Sequence, residues 1–185
     1  MADQGAFRQL LDALTGRGAA IAEGLWGTSA RALTAAVLQR HAPPVCLYCL
    51  AHVGDAEDAL EELAFYTGVP AQLFPAWDSL PREANVADEI LAGRLRVLKE
   101  LKALRAALGP SYDGPTRIIV APVQALLQPV PSPRHLDDNT VVVRKGESQD
   151  PAALRAWLVG RGFSAADLVG NRGAVSYTHL RAHET

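Results

Sequence analysis

The chain has 185 residues, 49% apolar and 21% charged, and 18 Lys+Arg against 20 Asp+Glu leave a formal charge of −2. That length can bury a core without staples, while the near-neutral balance excludes a protein built mainly to coat nucleic acid by charge. No apolar run approaches the roughly 20 residues of a membrane span, MADQGAFRQ lacks a signal-peptide core, and two cysteines make no disulfide framework. A cytoplasmic globular protein is expected.

From Asp3 to Leu14 the residues Phe7, Leu10, Leu11 and Leu14 recur at helical spacing, and Gly16 and Gly18 end the helix. A short apolar piece, Ala19–Ala22, precedes the loop Gly24-Leu25-Trp26-Gly27-Thr28-Ser29. Helical spacing resumes through Leu33, Val37 and Leu38 and stops before Pro43-Pro44. Val45–Ala51 is an apolar run of strand length, expected to be buried on both faces. Asp55 is placed to cap a helix with Ala56, Leu60, Leu63 and Ala64 inward and Asp58, Glu61 and Glu62 outward. Gly68 and Pro70 close it, and Ala71–Phe74 reads as a second strand.

After the loop Pro75–Pro81, a long helix is predicted over Val86–Leu108. Its stripe is Leu91, Leu95, Leu98, Leu101, Leu104 and Leu108, with Arg94, Lys99, Lys102 and Arg105 in solvent. Thr116–Ala121 is a β-branched strand, followed by a helical piece over Val123–Leu127. Gln128–Pro133 carries three prolines in six residues and reads as a linker. Beyond it come a predicted strand, Thr140–Val143, and a helix capped by Asp150 with Pro151 in its first turn. In that helix Leu154, Trp157 and Leu158 face inward and Gly162 terminates. The alternation implies an α/β fold, a mostly parallel sheet flanked by helices.

In such folds the first strand-to-helix loop holds phosphates at the helix N-terminus. A working phosphate loop reads G-x-x-x-x-G-K-[ST]. The matching register runs from Gly24 through Gly27 and Thr28 to Arg31, with Ser29 for the second glycine, Ala30 for the lysine and Arg31 for the hydroxyl residue. Ala30 supplies no cation and Arg31 cannot ligate a metal. The spacing survives without the chemistry. An ordinary glycine-containing turn is the plainer reading.

Four further features are weaker. Cys46 and Cys49 have C-x-x-C spacing, but strand positions three apart point to opposite faces, so two small buried thiols are expected rather than a redox or zinc site. His52 follows the same strand with no nucleophile or carboxylate constellation and reads as structural. Glu83, Asp88 and Glu89 cluster with Arg82 and Arg94, as a helix N-terminus complementing its dipole or as a contact to other domains. Val175–Thr185, VSYTHLRAHET, resembles a translated sequencing adapter rather than protein. Setting it aside removes His179 and His183 and leaves 174 residues, with truncation expected near Ala174.

The remaining chain carries a family resemblance. Gly24-Leu25-Trp26-Gly27 with Ser29-Ala30-Arg31-Ala32, then Phe74-Pro75-Ala76-Trp77-Asp78-Ser79-Leu80-Pro81, resemble the N-terminal region of the bacterial transcription-repair coupling factors. Glu89-Ile90, Arg94-Leu95, Ile119-Val120-Ala121-Pro122-Val123 and Ala125-Leu126-Leu127-Gln128 extend the match across nearly all of 19–173. The resemblance implies a degenerate, non-hydrolysing copy of the nucleotide-binding domain of the repair protein UvrB over 1–133. It also implies the start of an α+β domain that contacts UvrA over 134–174, with 175–185 a non-native tail. UvrB-like proteins clamp DNA with a long aromatic hairpin. Here only Trp77–Asp88 separates strand from helix, too short for one, so Trp77 is expected to be a packing anchor and DNA binding by this chain weak.

The same resemblance implies that the chain itself is not an enzyme and takes no cofactor, ATP and Mg²⁺ belonging to motor domains elsewhere in the family. RNA polymerase and duplex DNA would be met by those other domains, and no membrane is involved. The UvrA-contacting surface of UvrB has an Arg after the Gly-Tyr at a helix exit and another in an Arg-Gly-Gly strand. At the first place stands Gly162-Phe163-Ser164, and the second would lie beyond Gly173. Phe163, Ser164 and Arg172 are thus the candidate partner-binding residues, with UvrA binding weak or incomplete. The alternative is an active P-loop NTPase or dinucleotide-binding enzyme of similar topology.

Overall fold

The computed structural model describes residues 4–15, 19–78, 88–108, 112–165 and 174–175. They fall into two compact units, Met1–Val130 and Pro131–Thr185. Among them no helix is long and apolar enough to cross a membrane.

The first unit is α/β. Its elements are α1 (Gln4–Thr15), α2 (Thr28–Arg40), β1 (Val45–Leu50), α3 (Ala56–Thr67), β2 (Ala71–Leu73), α4 (Asp88–Ala107), β3 (Arg117–Pro122) and α5 (Val123–Leu126). The three strands form one parallel sheet in the order β1-β3-β2, with Val45 opposite Arg117 and Ala71 opposite Ile118. The last strand to be made is therefore the central one. Its run Ile118-Ile119-Val120-Ala121 is buried throughout, as a strand covered on both faces must be. Ile118 and Val120 pack on Ala59 and Leu63 of α3, while Ile119 and Ala121 pack on Phe74, Val97 of α4 and Ala125 of α5.

Several sequence expectations are corrected here. Strand β1 lies at the edge, and only Cys46, Tyr48 and Leu50 pack on the α3 side. Leu47 is 50% exposed and Cys49 is also exposed, because α4 lies over β2 and β3. The two cysteines are free and on opposite faces, but they are not both buried. Asp55 makes no capping hydrogen bond; a 3-10 turn over Val53–Asp55 leads into α3, with Asp55 already helical at φ −86°. At the other end Gly68 takes the left-handed conformation, φ 69°, and its N–H donates to Ala64 O.

Helix α4 keeps the middle of its expected face and loses both ends of it. Its buried row is Arg94, Val97 and Leu104, joined by the half-buried Leu101, whereas Leu91 and Leu108 are exposed. Leu101 and Leu104 belong to the expected stripe, and its Leu95 and Leu98 are half-buried; Arg94 and Val97 join the covered face. Arg94 is in the core. Lys99 and Arg105 are exposed, as expected, while Lys102 is half-buried.

The second unit holds α6 (Pro133–Asp138), α7 (Pro151–Val159), β4 (Ser164–Ala165) and β5 (Ala174–Val175), the two strands pairing in parallel. The expected strand at Thr140–Val143 is irregular, with Val141, Val142 and Val143 exposed. A β-branched run makes no strand without a ladder partner. Helix α6 follows directly on the proline-rich segment; Ser132 caps it by accepting from His135 N–H and Pro133 sits in its first turn. Helix α7 begins as expected, with Asp150 Oδ1 accepting from Ala152 N–H at 2.9 Å. Leu154, Trp157 and Leu158 are half-buried on it, and Arg161 stacks over the Trp157 ring while donating to Asp138 O. Val175, the first residue of the adapter-like string, pairs with Ala165; 176–185 lie outside the described residues.

Leu63 is fully buried against the central strand. Leu63→Ala is expected to cost about 3 kcal/mol and Leu47→Ala under about 1 kcal/mol. Urea unfolding midpoints at constant slope check this.

Candidate functional site

The loop before α2 keeps its glycines for a backbone reason. Gly24 and Gly27 have φ of 75° and 47°, the region that favours glycine. Ser29 closes the loop on itself, its Oγ accepting from Trp26 N–H at 3.0 Å and donating to Trp26 O at 2.8 Å. Among the described residues no strand precedes this loop, since 19–27 is irregular, Ile21 of the Ala19–Ala22 piece is exposed, and β1 follows α2. The expected strand-to-helix register is therefore corrected. The loop leads into a helix but does not leave the C-terminal edge of a sheet strand, where α/β folds gather phosphates.

The side chains of the loop are turned toward α3. Thr28 Oγ1 donates to Glu62 Oε1 at 3.0 Å, and Arg31 Nη1 lies 3.0 Å from Glu62 Oε2. Arg31 is only 7% exposed. Glu62, expected in solvent, is half-buried because α2 and α3 pack together and bring it over the first turn of α2. Burial opposes the Arg31 charge, but Glu62, with lesser help from Tyr48 and Asp58, outweighs it and holds the guanidinium above its ordinary value. The Arg31 guanidinium in turn holds the Glu62 carboxyl below its ordinary value, against desolvation and with help from Thr28. Gly24, Gly27, Thr28 and Ser29 are exposed, and Ala30 is half-buried and brings no charge.

A second arrangement was not anticipated. Arg94 is 2% exposed and stands at the junction of three segments. Its Nη1 donates to Pro75 O at 2.7 Å and Gln128 Oε1 at 3.4 Å, and its Nη2 donates to Pro129 O at 3.3 Å. Its Cζ sits 4.3 Å from the Phe74 ring centroid and 4.8 Å from that of Trp77, within cation–π range. Gln128 completes the knot. Its Oε1 accepts from Trp77 N–H at 2.7 Å and its Nε2 donates to Trp77 O at 3.3 Å, so a side-chain amide stands in for a strand partner. Desolvation pushes the Arg94 pKa down. The sequence signal was present: Phe74, Trp77, Arg94 and Gln128 all lie in the blocks that carry the family resemblance.

Beside this knot, at the C-terminal ends of β2 and β3, is a cleft of about 310 Å³ lined by Val53, Leu73, Trp77, Ile90, Pro122 and Gln124 among others. Open α/β sheets take ligands at that edge. Among the described residues lining it there is no Lys or Arg to meet phosphate.

The other candidates remain apart. Phe163 and Ser164 are exposed at β4, in the second unit, and Arg172 lies outside the described residues. Burial pushes the Cys46 thiol up, away from reactivity. His52, read as structural, is exposed. Asp88 and Glu89 occupy the first turn of α4, but Arg82 and Glu83 fall outside the described residues and Arg94 belongs to the knot.

Two outcomes follow from these contacts. Arg94→Ala takes the donor from Pro75 O and Pro129 O, leaves Gln128 Oε1 with Trp77 N–H alone and opens a void, and is expected to destabilise by about 3–5 kcal/mol. Arg94→Lys keeps the charge without the planar fork and should lose about 2 kcal/mol. Both are read from urea unfolding. Glu62, depressed in the folded chain, binds a proton more readily once unfolded, so its pair stabilises fully above the ordinary carboxyl value of 4.5. That contribution is lost as pH falls through the lower folded value. The stability gap between the unaltered chain and Glu62→Gln should hold from about pH 7 to 5 and close in more acid solution.

No family model matches the chain. It is 32% identical over 148 residues to the transcription-repair-coupling factors of Mycobacterium bovis and Mycobacterium tuberculosis, a match covering 78% of this chain and 11% of theirs. It is 26% identical over 153 residues to that of Escherichia coli K12, covering 80% of this chain and 12% of the relative. The chain is a relative of the transcription-repair-coupling factors, matched over about four-fifths of its own length and 11–12% of theirs.

Proposed function

We propose that this chain is a non-catalytic adaptor module of a transcription-coupled DNA repair factor, linking stalled RNA polymerase to nucleotide excision repair through UvrA. The observation that carries the non-catalytic reading is the first turn of α2. Ala30 stands where a phosphate-bridging lysine is needed, and the one nearby guanidinium is already answered by Glu62. An NTPase lacking that lysine forfeits most of its transition-state stabilisation. On this reading 1–133 is a degenerate nucleotide-binding domain, and 134–174 begins a domain that meets UvrA through Phe163, Ser164 and Arg172. ATP, Mg²⁺, duplex DNA and RNA polymerase are engaged by other parts of the longer protein, and the near-neutral charge suits a module that meets proteins.

The test is capture of purified UvrA by the immobilised chain, beside a full-length relative. Measurable but weaker retention is expected, reduced about tenfold further by Phe163→Ala if that side chain anchors the contact. No retention at any concentration would sink the UvrA assignment. ATP turnover that disappears in Gly24→Ala or Thr28→Ala would replace the adaptor with an active P-loop enzyme.

A further inference from the structure

We infer that α1 is a detachable strap, which opens in a local transition of its own and uncovers an apolar groove with the Cys46 thiol along it. The groove lies between α1, α2 and the start of β1 and encloses about 420 Å³. Leu10 and Leu14 reach it from α1, Leu33 and Val37 from α2, and Val45 and Cys46 from β1. The two sides of the groove are held differently. Leu38 of α2 and Cys46 pack on Ala59, Leu63, Ile118 and Val120, four buried residues of the core. Among the described residues of α1 none is buried, and its apolar stripe of Phe7, Leu10, Leu11 and Leu14 is half-covered throughout.

A side chain beside open space has packing partners on one side only and forfeits part of its dispersion attraction. A helix of 12 residues is marginal in water by itself, so α1 keeps its helical form only while it is docked. An element with few buried apolar contacts opens at a lower free energy than the core beneath it. The strap therefore leaves before the sheet unfolds, and unwinds as it leaves. The sheet stays intact meanwhile, since neither core cluster takes a buried residue from α1. Release strips the groove of Leu10 and Leu14 and leaves Leu33, Val37 and Val45 facing water, with Cys46 open to thiol chemistry. Docked, that thiol is half-buried, and burial pushes its pKa up and slows its reaction. Opening of α1 and capture of UvrA involve different units and can fail separately.

The experiment uses the full chain with Cys49→Ser, which removes the exposed thiol of the other face and leaves Cys46 alone to react. Labelling by an aromatic disulfide reagent is timed at urea concentrations below the unfolding transition. The rate should change little with urea there, as an opening that exposes little surface requires. Leu10→Ala/Leu14→Ala should raise it about tenfold or more, the scale of two half-covered leucines, and leave the urea midpoint of the sheet in place. Val97→Ala, in the core on the far face, should lower that midpoint and leave the rate unchanged. Amide hydrogen exchange on the unaltered chain gives a reading that needs no substitution: amides of α1 should exchange faster than those of α3. Labelling that rises with urea as steeply as global unfolding, labelling that ignores Leu10→Ala/Leu14→Ala, or α1 amides protected as long as those of α3 would overturn the inference.

Discussion

The buried guanidinium of Arg94 ties together parts of the first unit that lie far apart in the chain. The segment after β2 runs past it with Pro75 O as acceptor, and the segment after α5 brings Gln128 and Pro129 to the same group. A cation removed from water is costly unless its donors are met. Here they meet carbonyl and amide oxygens, with two aromatic rings against the guanidinium. Such an arrangement holds only if β2, α4 and the exit from β3 are all in place. The knot therefore makes the C-terminal edge of the sheet one cooperative piece. It also explains why the recognisable blocks, FPAW, Arg94-Leu95 and ALLQ, are separate in sequence: they are parts of a single contact.

The two buried arginines solve the same electrostatic problem differently. Arg94 is satisfied by dipoles, and its pKa falls with desolvation. Arg31 is satisfied by a carboxylate, and its charge is held more firmly than in water. The first arrangement fixes the segments at the C-terminal edge of the sheet. The second fixes the loop before α2 against α3.

Much of the architecture could be read from local pattern. The central strand announced itself as four apolar residues, α1 and α3 began and ended within one or two residues of their signals, and α7 began at its Asp150 cap but ended at Val159, capped by Gly160 rather than by the expected Gly162. The failures share a cause. Thr140–Val143 has strand composition but, among the described residues, pairs with no strand, and pairing is not a property of four residues. Strand β1 is apolar throughout, yet which of its faces is covered depends on where α4 lies. Helix α4 carries apolar residues around more than one face, so its sequence alone could not show that Arg94 and Val97 join Leu104 as its buried positions.

Composition and periodicity thus determined by themselves that this is an α/β chain, and residue identity determined that its loop has no lysine to bridge phosphate. Tertiary structure alone decided which charges were buried. Arg94 and Glu62 read as solvent-facing because charge predicts exposure when nothing else is known. Their burial depends on partners from 19 to 35 residues away in sequence that can answer a charge. No local window contains such a partner, and only folding supplies it.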